Sequence, residues 1–255
     1  MPEQDVTDTS PRRPAAGSRP GSPDSRPAAP DARPGAAGDR PAARVRGLIT
    51  DWGGVLTRPI LDTVTEWLQA DGIDRDSYRT VMRAWVSQAY GTDGVVNPVH
   101  ALERGECTAA EFEALLAAEL VGIDGGPVSA DGLLSRMFGA EALDEGMLEV
   151  IRTARRAGLR TALLSNSWGG SYPRHLFPDL FDAVVISAEV GMRKPEEQIY
   201  RHALDLLGLA PAECVFIDDI EHNITMARSL GLTAIHHRTA SQTTQQLAGL
   251  LGLPL

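Results

Sequence analysis

Lysine is nearly absent from this chain: Lys194 stands alone against 23 arginines. The two cations are not interchangeable, since lysine presents a compact point charge with three rotatable donors and arginine a wide planar fork suited to bidentate partners. A crowded anionic centre favours the former, which makes Val190-Gly-Met-Arg-Lys-Pro-Glu-Glu-Gln-Ile-Tyr200 the first stretch to explain. Cysteine is also scarce. Cys107 and Cys214 lie far apart, without a CxxC pair or a histidine at zinc-ligand spacing, which excludes a disulfide framework and suits packing roles in a reducing compartment. No run approaches the roughly 18 consecutive apolar residues of a membrane span. Positive charge is in deficit, and a formal net charge of −10 argues against a nucleic-acid surface. The expectation is a cytoplasmic protein that engages neither membrane nor nucleic acid. The sequence sets no oligomeric state.

What is present divides unevenly along the chain. The first 44 residues hold nine of the 17 prolines, nine alanines, seven arginines and six acids, with Met1 and Val6 the only larger apolar side chains. Such a segment buries too little surface to offset its ordering entropy and is expected to be a disordered tail. It lacks the apolar core of a secretion signal, and its acids nearly balance its arginines, unlike an organelle signal. The remainder, in a chain of 255 residues with 43% hydrophobic content, is enough for one full domain and a smaller one.

Five short apolar runs end in polar residues: Val45 to Thr50, Arg160 to Leu164, Ala183 to Ser187, Cys214 to Ile217 and Leu232 to Ile235. Between the last four lie helical patterns, Pro195 to Leu207 and His222 to Leu230 among them, and a similar one, Asp144 to Ala157, precedes the second run. Alternation of this kind predicts an α/β fold with a buried, Rossmann-like parallel sheet flanked by helices. About 100 residues separate the first run from the second, too many for a simple crossover. Helical spacing recurs within them at Leu61 to Ala70, Arg75 to Ala89, Pro98 to Glu103, Ala109 to Leu120 and Gly132 to Phe138. The expected organisation is therefore a core of residues 45–57 and 141–255 with an inserted helical cap domain at 58–140.

The polar residues at the strand ends form a pattern. Asp51 follows the first strand, Ser165 and Asn166 the second, Lys194 lies beyond the third, and Asp218 and Asp219 follow the fourth. Ligands of open parallel sheets bind at that edge. A hard cation such as Mg²⁺ takes oxygen ligands with one or two carboxylates, which Asp51 and Asp219 supply. A phosphate on that ion needs donors, for which Ser165 and the backbone N–H groups of Gly53, Gly54 and Asn166 are the candidates. Lys194 would face both phosphate and Asp51, with the positive end of a helix beginning at Pro195 nearby. Each residue also has a quieter explanation: Asp218-Asp219 as a helix cap, Gly53-Gly54 as a tight turn, Trp168 as packing, His236 and His237 as structural groups.

Leu48-Ile-Thr-Asp-Trp-Gly-Gly-Val-Leu56, Leu163-Leu-Ser-Asn-Ser167, Gly191-Met-Arg-Lys-Pro195 and Val215-Phe-Ile-Asp-Asp-Ile-Glu-His-Asn-Ile224 resemble, in order and spacing, the four motifs of the haloacid dehalogenase superfamily. The similarity is closest to subfamily IA with a helical cap, in the branch of glucose-1-phosphate phosphatases and the N-terminal phosphatase domains of soluble epoxide hydrolases. It includes Leu102-Glu-Arg-Gly-Glu106 in the cap. The resemblance implies a phosphatase of a small phosphorylated metabolite. Asp51 would be the nucleophile that forms an aspartyl-phosphate. Asp51, the Gly53 carbonyl and Asp219 would be Mg²⁺ ligands, Ser165 the phosphate-binding hydroxyl, and Lys194 the charge-neutralising lysine. Asp218 would steer Lys194 or a metal-bound water.

One position departs from the pattern. Many phosphatases of the superfamily carry a second Asp two residues after the nucleophile, where this chain has Gly53. General acid–base help of that kind contributes roughly 10² to 10⁴ in rate, so its absence favours substrates whose leaving group is already good, such as anomeric or acyl phosphates. Two alternatives stay open: a metal-free hydrolytic dehalogenase, and a phosphate-binding module with weakened turnover. Arg79, Arg83, His100 and Arg104 are the candidates in the cap for contacting a leaving group.

Overall fold

The computed structural model describes residues 44–88, 97–139, 142–170 and 172–252. The proline-rich segment expected to be disordered lies, but for Arg44, outside the described residues, as does Ala89 at the end of the second expected helix. Five strands form one sheet: β1 (Gly47–Thr50), β2 (Arg160–Ser165), β3 (Ala183–Ile186), β4 (Cys214–Asp218) and β5 (Thr233–His236). All neighbours pair in parallel in the order β3-β2-β1-β4-β5. This is the Rossmann-like α/β architecture that the apolar runs imply. The β1 strand is buried at every position because helices cover both faces, and its side chains alternate between two cores. Leu48 packs with Leu163, Val215 and Ile217 on one face, Ile49 with Ala162, Leu164 and Phe216 on the other. Gly47 has no room for a side chain: a Cβ there would lie 2.7 Å from Cys214 Sγ, so this buried thiol is a packing element. Cys107 is only half-buried, against the insertion's core.

The stretch between β1 and β2 is helical. It holds α1 (Ile60–Ala70), α2 (Arg75–Gln88), α3 (Pro98–Glu103), α4 (Ala109–Glu119) and α5 (Leu133–Phe138), followed by α6 (Glu145–Arg156), which packs on the sheet. Local chemistry sets several starts. Asn97 caps α3 ahead of Pro98, Thr108 and Glu111 close a reciprocal capping box on α4, and Asp144 caps α6. The insertion has its own buried cluster, with Trp67, Phe112, Leu116, Leu133 and Met137 at its centre. Leu115 is half exposed, because it lies one position off the buried stripe of α4. Trp168 of the core packs edge-to-face on Phe112 and Phe138, the packing role expected of it.

The later helices are α7 (Phe177–Leu180), α8 (Ser187–Val190), α9 (Glu197–Leu207), α10 (Glu221–Ser229) and α11 (Ala240–Leu251). Among the described residues no helix is long and apolar enough to cross a membrane. The α9 helix starts at Glu197 rather than Pro195, because Glu196 is extended at ψ 132° and serves as the N-cap. Sheet order reverses direction between β1 and β4, the switch point at which open α/β sheets leave a crevice. Asp51 and the Asp218-Asp219 pair lie there.

Candidate active site

The ends of β1 and β4 meet at one buried ammonium. Lys194 is 1% exposed, and its Nζ lies 2.8 Å from Asp51 Oδ1 and 2.7 Å from Asp218 Oδ2, with the Phe216 ring 5.8 Å away. Burial opposes its charge, but the carboxylates of Asp218 and Asp51 outweigh that and hold its pKa above the usual range. The loop that carries it is fixed from β2. Asn166 Nδ2 donates to the Lys194 carbonyl at 3.0 Å, and the Lys194 N–H donates to Asn166 Oδ1 at 2.8 Å. The Asn166 side chain is therefore spent on orienting Lys194.

Asp51, Asp218 and Asp219 each offer an oxygen within 4.8 Å of the others'. Burial pushes the Asp51 carboxyl up to about 7, with Lys194 opposing and Asp218 and Asp219 adding to the rise. Burial and Asp218 likewise raise Asp219 to about 6. Anionic oxygens so crowded suit a hard cation. The three are not equivalent. Asp218 is fully buried and already accepts from Lys194, from Asn223 Nδ2 on both of its oxygens at 2.9 and 3.0 Å, and from the Ile220 N–H at 2.8 Å. Its bond to Ile220 N precedes α10 and is no helix cap, since Ile220 itself is the N-cap residue. Asp51 and Asp219 are the better donors to a cation.

Gly54 belongs to this geometry. Its φ is +72°, and a Cβ would lie 2.4 Å from Asp219 Oδ2, so only glycine lets the β1 loop pass the carboxylate. Its N–H donates to Thr57 Oγ1 at 3.0 Å, which corrects the expectation that it points at a phosphate. We expect Gly54→Ala to lower stability by about 1–3 kcal/mol, the range of a forced left-handed residue. Urea denaturation checks this, and a smaller loss in an Asp219→Ala background would trace the excess to that contact. Gly53, half-buried beside it, faces Ile60: a Cβ there would lie 3.2 Å from Ile60 Cδ1. The place of the second acid is thus bordered by an aliphatic side chain.

Ser165 ends β2, is 2% exposed, and shares a 2.9 Å hydrogen bond with Tyr172 OH. Burial pushes the Tyr172 phenol up to about 12, so it remains protonated. Asn223, Tyr172 and Thr57 have no part in the sequence reading. Asn223 lies within the fourth motif, four residues past Asp219, and that spacing is the one available signal. His236 Nε2 is 2.8 Å from the Asp219 carbonyl oxygen and its Nδ1 2.5 Å from Glu221, while His237 Nδ1 bonds Thr243 Oγ1, so both are structural groups as expected. Of the leaving-group candidates, Arg79 and Arg83 are exposed, and Arg104 pairs with Glu196. Burial, with Arg193 and Arg104 nearby, lowers His100 to about 4.

A family model described as haloacid dehalogenase-like hydrolase matches residues 45–231. Among curated proteins, bifunctional epoxide hydrolase 2 of Sus scrofa is 26% identical over 83% of this chain and 40% of its own length. The Rattus norvegicus protein of that name is 30% identical over 49% of this chain and 24% of its length. The chain thus spans less than half the length of these relatives. A sesquiterpene phosphatase of Aspergillus oryzae is 27% identical over 52% of this chain and 68% of its own. Among solved structures, a HAD family enzyme of Bacteroides thetaiotaomicron matches with TM-score 0.59 and 22% identity over 80% of this chain and 98% of that one, and its magnesium complex with 0.58.

Proposed function

The chain belongs to the haloacid dehalogenase-like hydrolases, and from that premise we propose that it is a cytoplasmic, Mg²⁺-dependent phosphatase of a small phosphorylated metabolite. The observation that carries the proposal is the single buried lysine held between Asp51 and Asp218 beside a third carboxylate. An ammonium so enclosed offers little to a neutral substrate and much to an oxyanion. The sesquiterpene phosphatase among the relatives, and the magnesium complex among the structural neighbours, support the same chemistry.

Asp51 is the nucleophile. Its carboxylate attacks phosphorus, the bond from phosphorus to the leaving oxygen breaks, and an aspartyl-phosphate remains. Water then attacks that phosphorus, releasing inorganic phosphate and restoring the carboxylate. Lys194 balances the charge gathered on Asp51 and on the phosphoryl oxygens, and the Ser165 hydroxyl donates to one of those oxygens. Asp51, Asp219 and the Gly53 carbonyl would hold Mg²⁺, which supplies positive charge that lets carboxylate and phosphate share the pocket. Asp218 and Asn223 position Lys194. Gly53 provides no proton for the leaving group, so the preferred substrates depart as stable anions, as anomeric and acyl phosphates do. The helical insertion is the cap, closing over the carboxyl edge of the sheet to exclude water.

A panel of phosphorylated metabolites assayed with Mg²⁺ and with chelator tests this function. Phosphate release is expected only with the cation; chelator-resistant activity on a haloacid would favour the metal-free dehalogenase. Cation binding should also show in stability. Asp51 and Asp219 hold a proton more tightly folded than unfolded, so their contribution to stability is present below the ordinary carboxylate pKa and lost as pH rises through about 6 to 7. Mg²⁺ should therefore raise the melting temperature more at about pH 8 than at about pH 5, where protons occupy its ligands.

A further inference from the structure

The stretch Leu102-Glu-Arg-Gly-Glu106 carries charge that the proposed reaction does not use. Glu103 ends α3 and is only 6% exposed, a rare position for a carboxylate unless it is paired. Its two oxygens are divided between two loops of the core. Oε2 accepts from Arg193 Nε at 2.5 Å, and Oε1 accepts from the Trp168 indole N–H at 3.1 Å. Arg193 immediately precedes Lys194, and Trp168 lies three residues beyond Ser165. The same loops are laced to each other by the Asn166 side chain on the Lys194 backbone, and the Ser167 N–H donates to Ser187 Oγ at the start of α8. The residues that follow Glu103 reinforce the contact. Arg104 pairs with Glu196, and Gly105, at φ +70°, runs so near α8 that a Cβ would lie 2.6 Å from the Ala188 carbonyl oxygen.

We propose that Glu103 is a positioning residue: it reaches from the helical insertion to pin the Ser165 loop and the Lys194 loop together, so that hydroxyl and ammonium address one anion. This rests on Ser165 and Lys194 facing the phosphate, as proposed above. A buried Glu–Arg pair adds little net stability over a well-packed apolar replacement, so its value here lies in the order it imposes. When the insertion leaves the core, Glu103 leaves with it and both loops lose their shared anchor. The site is complete only with the insertion seated.

Glu103→Gln keeps the size and an acceptor for Trp168 but removes the charge. A second variant, Glu103→Gln with Arg193→Met, removes both charges and so leaves none buried and unpaired if the first variant folds poorly. Both are expected to speed hydrogen exchange at the Lys194 amide, which is bonded to Asn166, and to weaken binding of inorganic phosphate with Mg²⁺ by about tenfold, the scale of a lost supporting contact. Unchanged exchange and phosphate affinity in a variant that melts like the unmodified protein overturn the proposal. So does a loss of stability with phosphate affinity per folded molecule unchanged. An unmodified protein that binds no phosphate would overturn the catalytic reading instead, and the exchange comparison would still decide the role of Glu103.

Discussion

Asp51→Asn is expected to cut phosphate release by at least about 10³-fold, the scale on which loss of a reacting group acts, while leaving a more stable protein. The amide is no nucleophile toward phosphorus, yet it keeps the Oδ1 acceptor for the Trp52 N–H, which donates at 2.7 Å, and for Lys194. It also removes a carboxylate that burial and two neighbouring acids destabilise. With the Asp51 pKa pushed up to about 7, its charge is unfavourable above neutral pH without a cation. Part of the gain is offset by the weaker bond to Lys194. We expect a net stabilisation of about 1 kcal/mol, or about 2–4 °C, at about pH 8 in chelator. Mg²⁺ should erase the advantage because only the parent protein offers it a carboxylate. Calorimetry with and without Mg²⁺, beside a phosphate-release assay, checks both halves. A variant that loses activity and stability together would indicate that Asp51 serves the fold.

Lys194→Met should do the opposite, removing function and fold stability together. It leaves Asp51 and Asp218 buried at the switch point without their shared cation, and breaking a buried pair from one side costs about 3–5 kcal/mol. The deficit should shrink as pH falls, because protonation relieves Asp51, whose carboxyl burial already pushes up to about 7. Denaturant unfolding at about pH 8 and about pH 5 tests that sign. Turnover should fall by about 10²-fold or more, as for other donors aimed at transition-state charge. Lys194→Arg should restore little, since a side chain 1% exposed leaves no space for a broader guanidinium. If arginine supports normal turnover, the survival of one lysine among 23 arginines has no chemical cause in this site.

The sheet and its chemistry were legible because buried parallel strands are continuous apolar runs, and a polar residue at the end of such a run has one place to go. Asp51, Ser165, Asp218 and Asp219 all fall there. Lys194 could be singled out by composition alone. The α11 helix is not evident from pattern: only Thr243 and Leu247 of its 12 residues are buried, so it carries almost no apolar stripe. What a strand-end pattern leaves out are partners set by tertiary packing. Asn223 reaches Asp218 from a helix, Tyr172 reaches Ser165 from a loop, and Glu103 meets Arg193 across 90 residues of sequence. For the same reason the Gly54 N–H, read as a phosphate donor, is found bonded to Thr57 Oγ1, and the Asn166 side chain holds the Lys194 backbone while its own N–H stays the candidate donor. Arg104, read as a leaving-group contact, is held by Glu196.

The proposed reaction turns on a covalent bond between Asp51 and phosphorus. Acid quenching during turnover, followed by peptide mass spectrometry, tests it most directly. The expected result is a phosphoryl group on the peptide containing Asp51, present with Mg²⁺ and absent with chelator or in Asp51→Asn. Sustained phosphate release with that peptide unmodified, or release undiminished in Asp51→Asn, would contradict it.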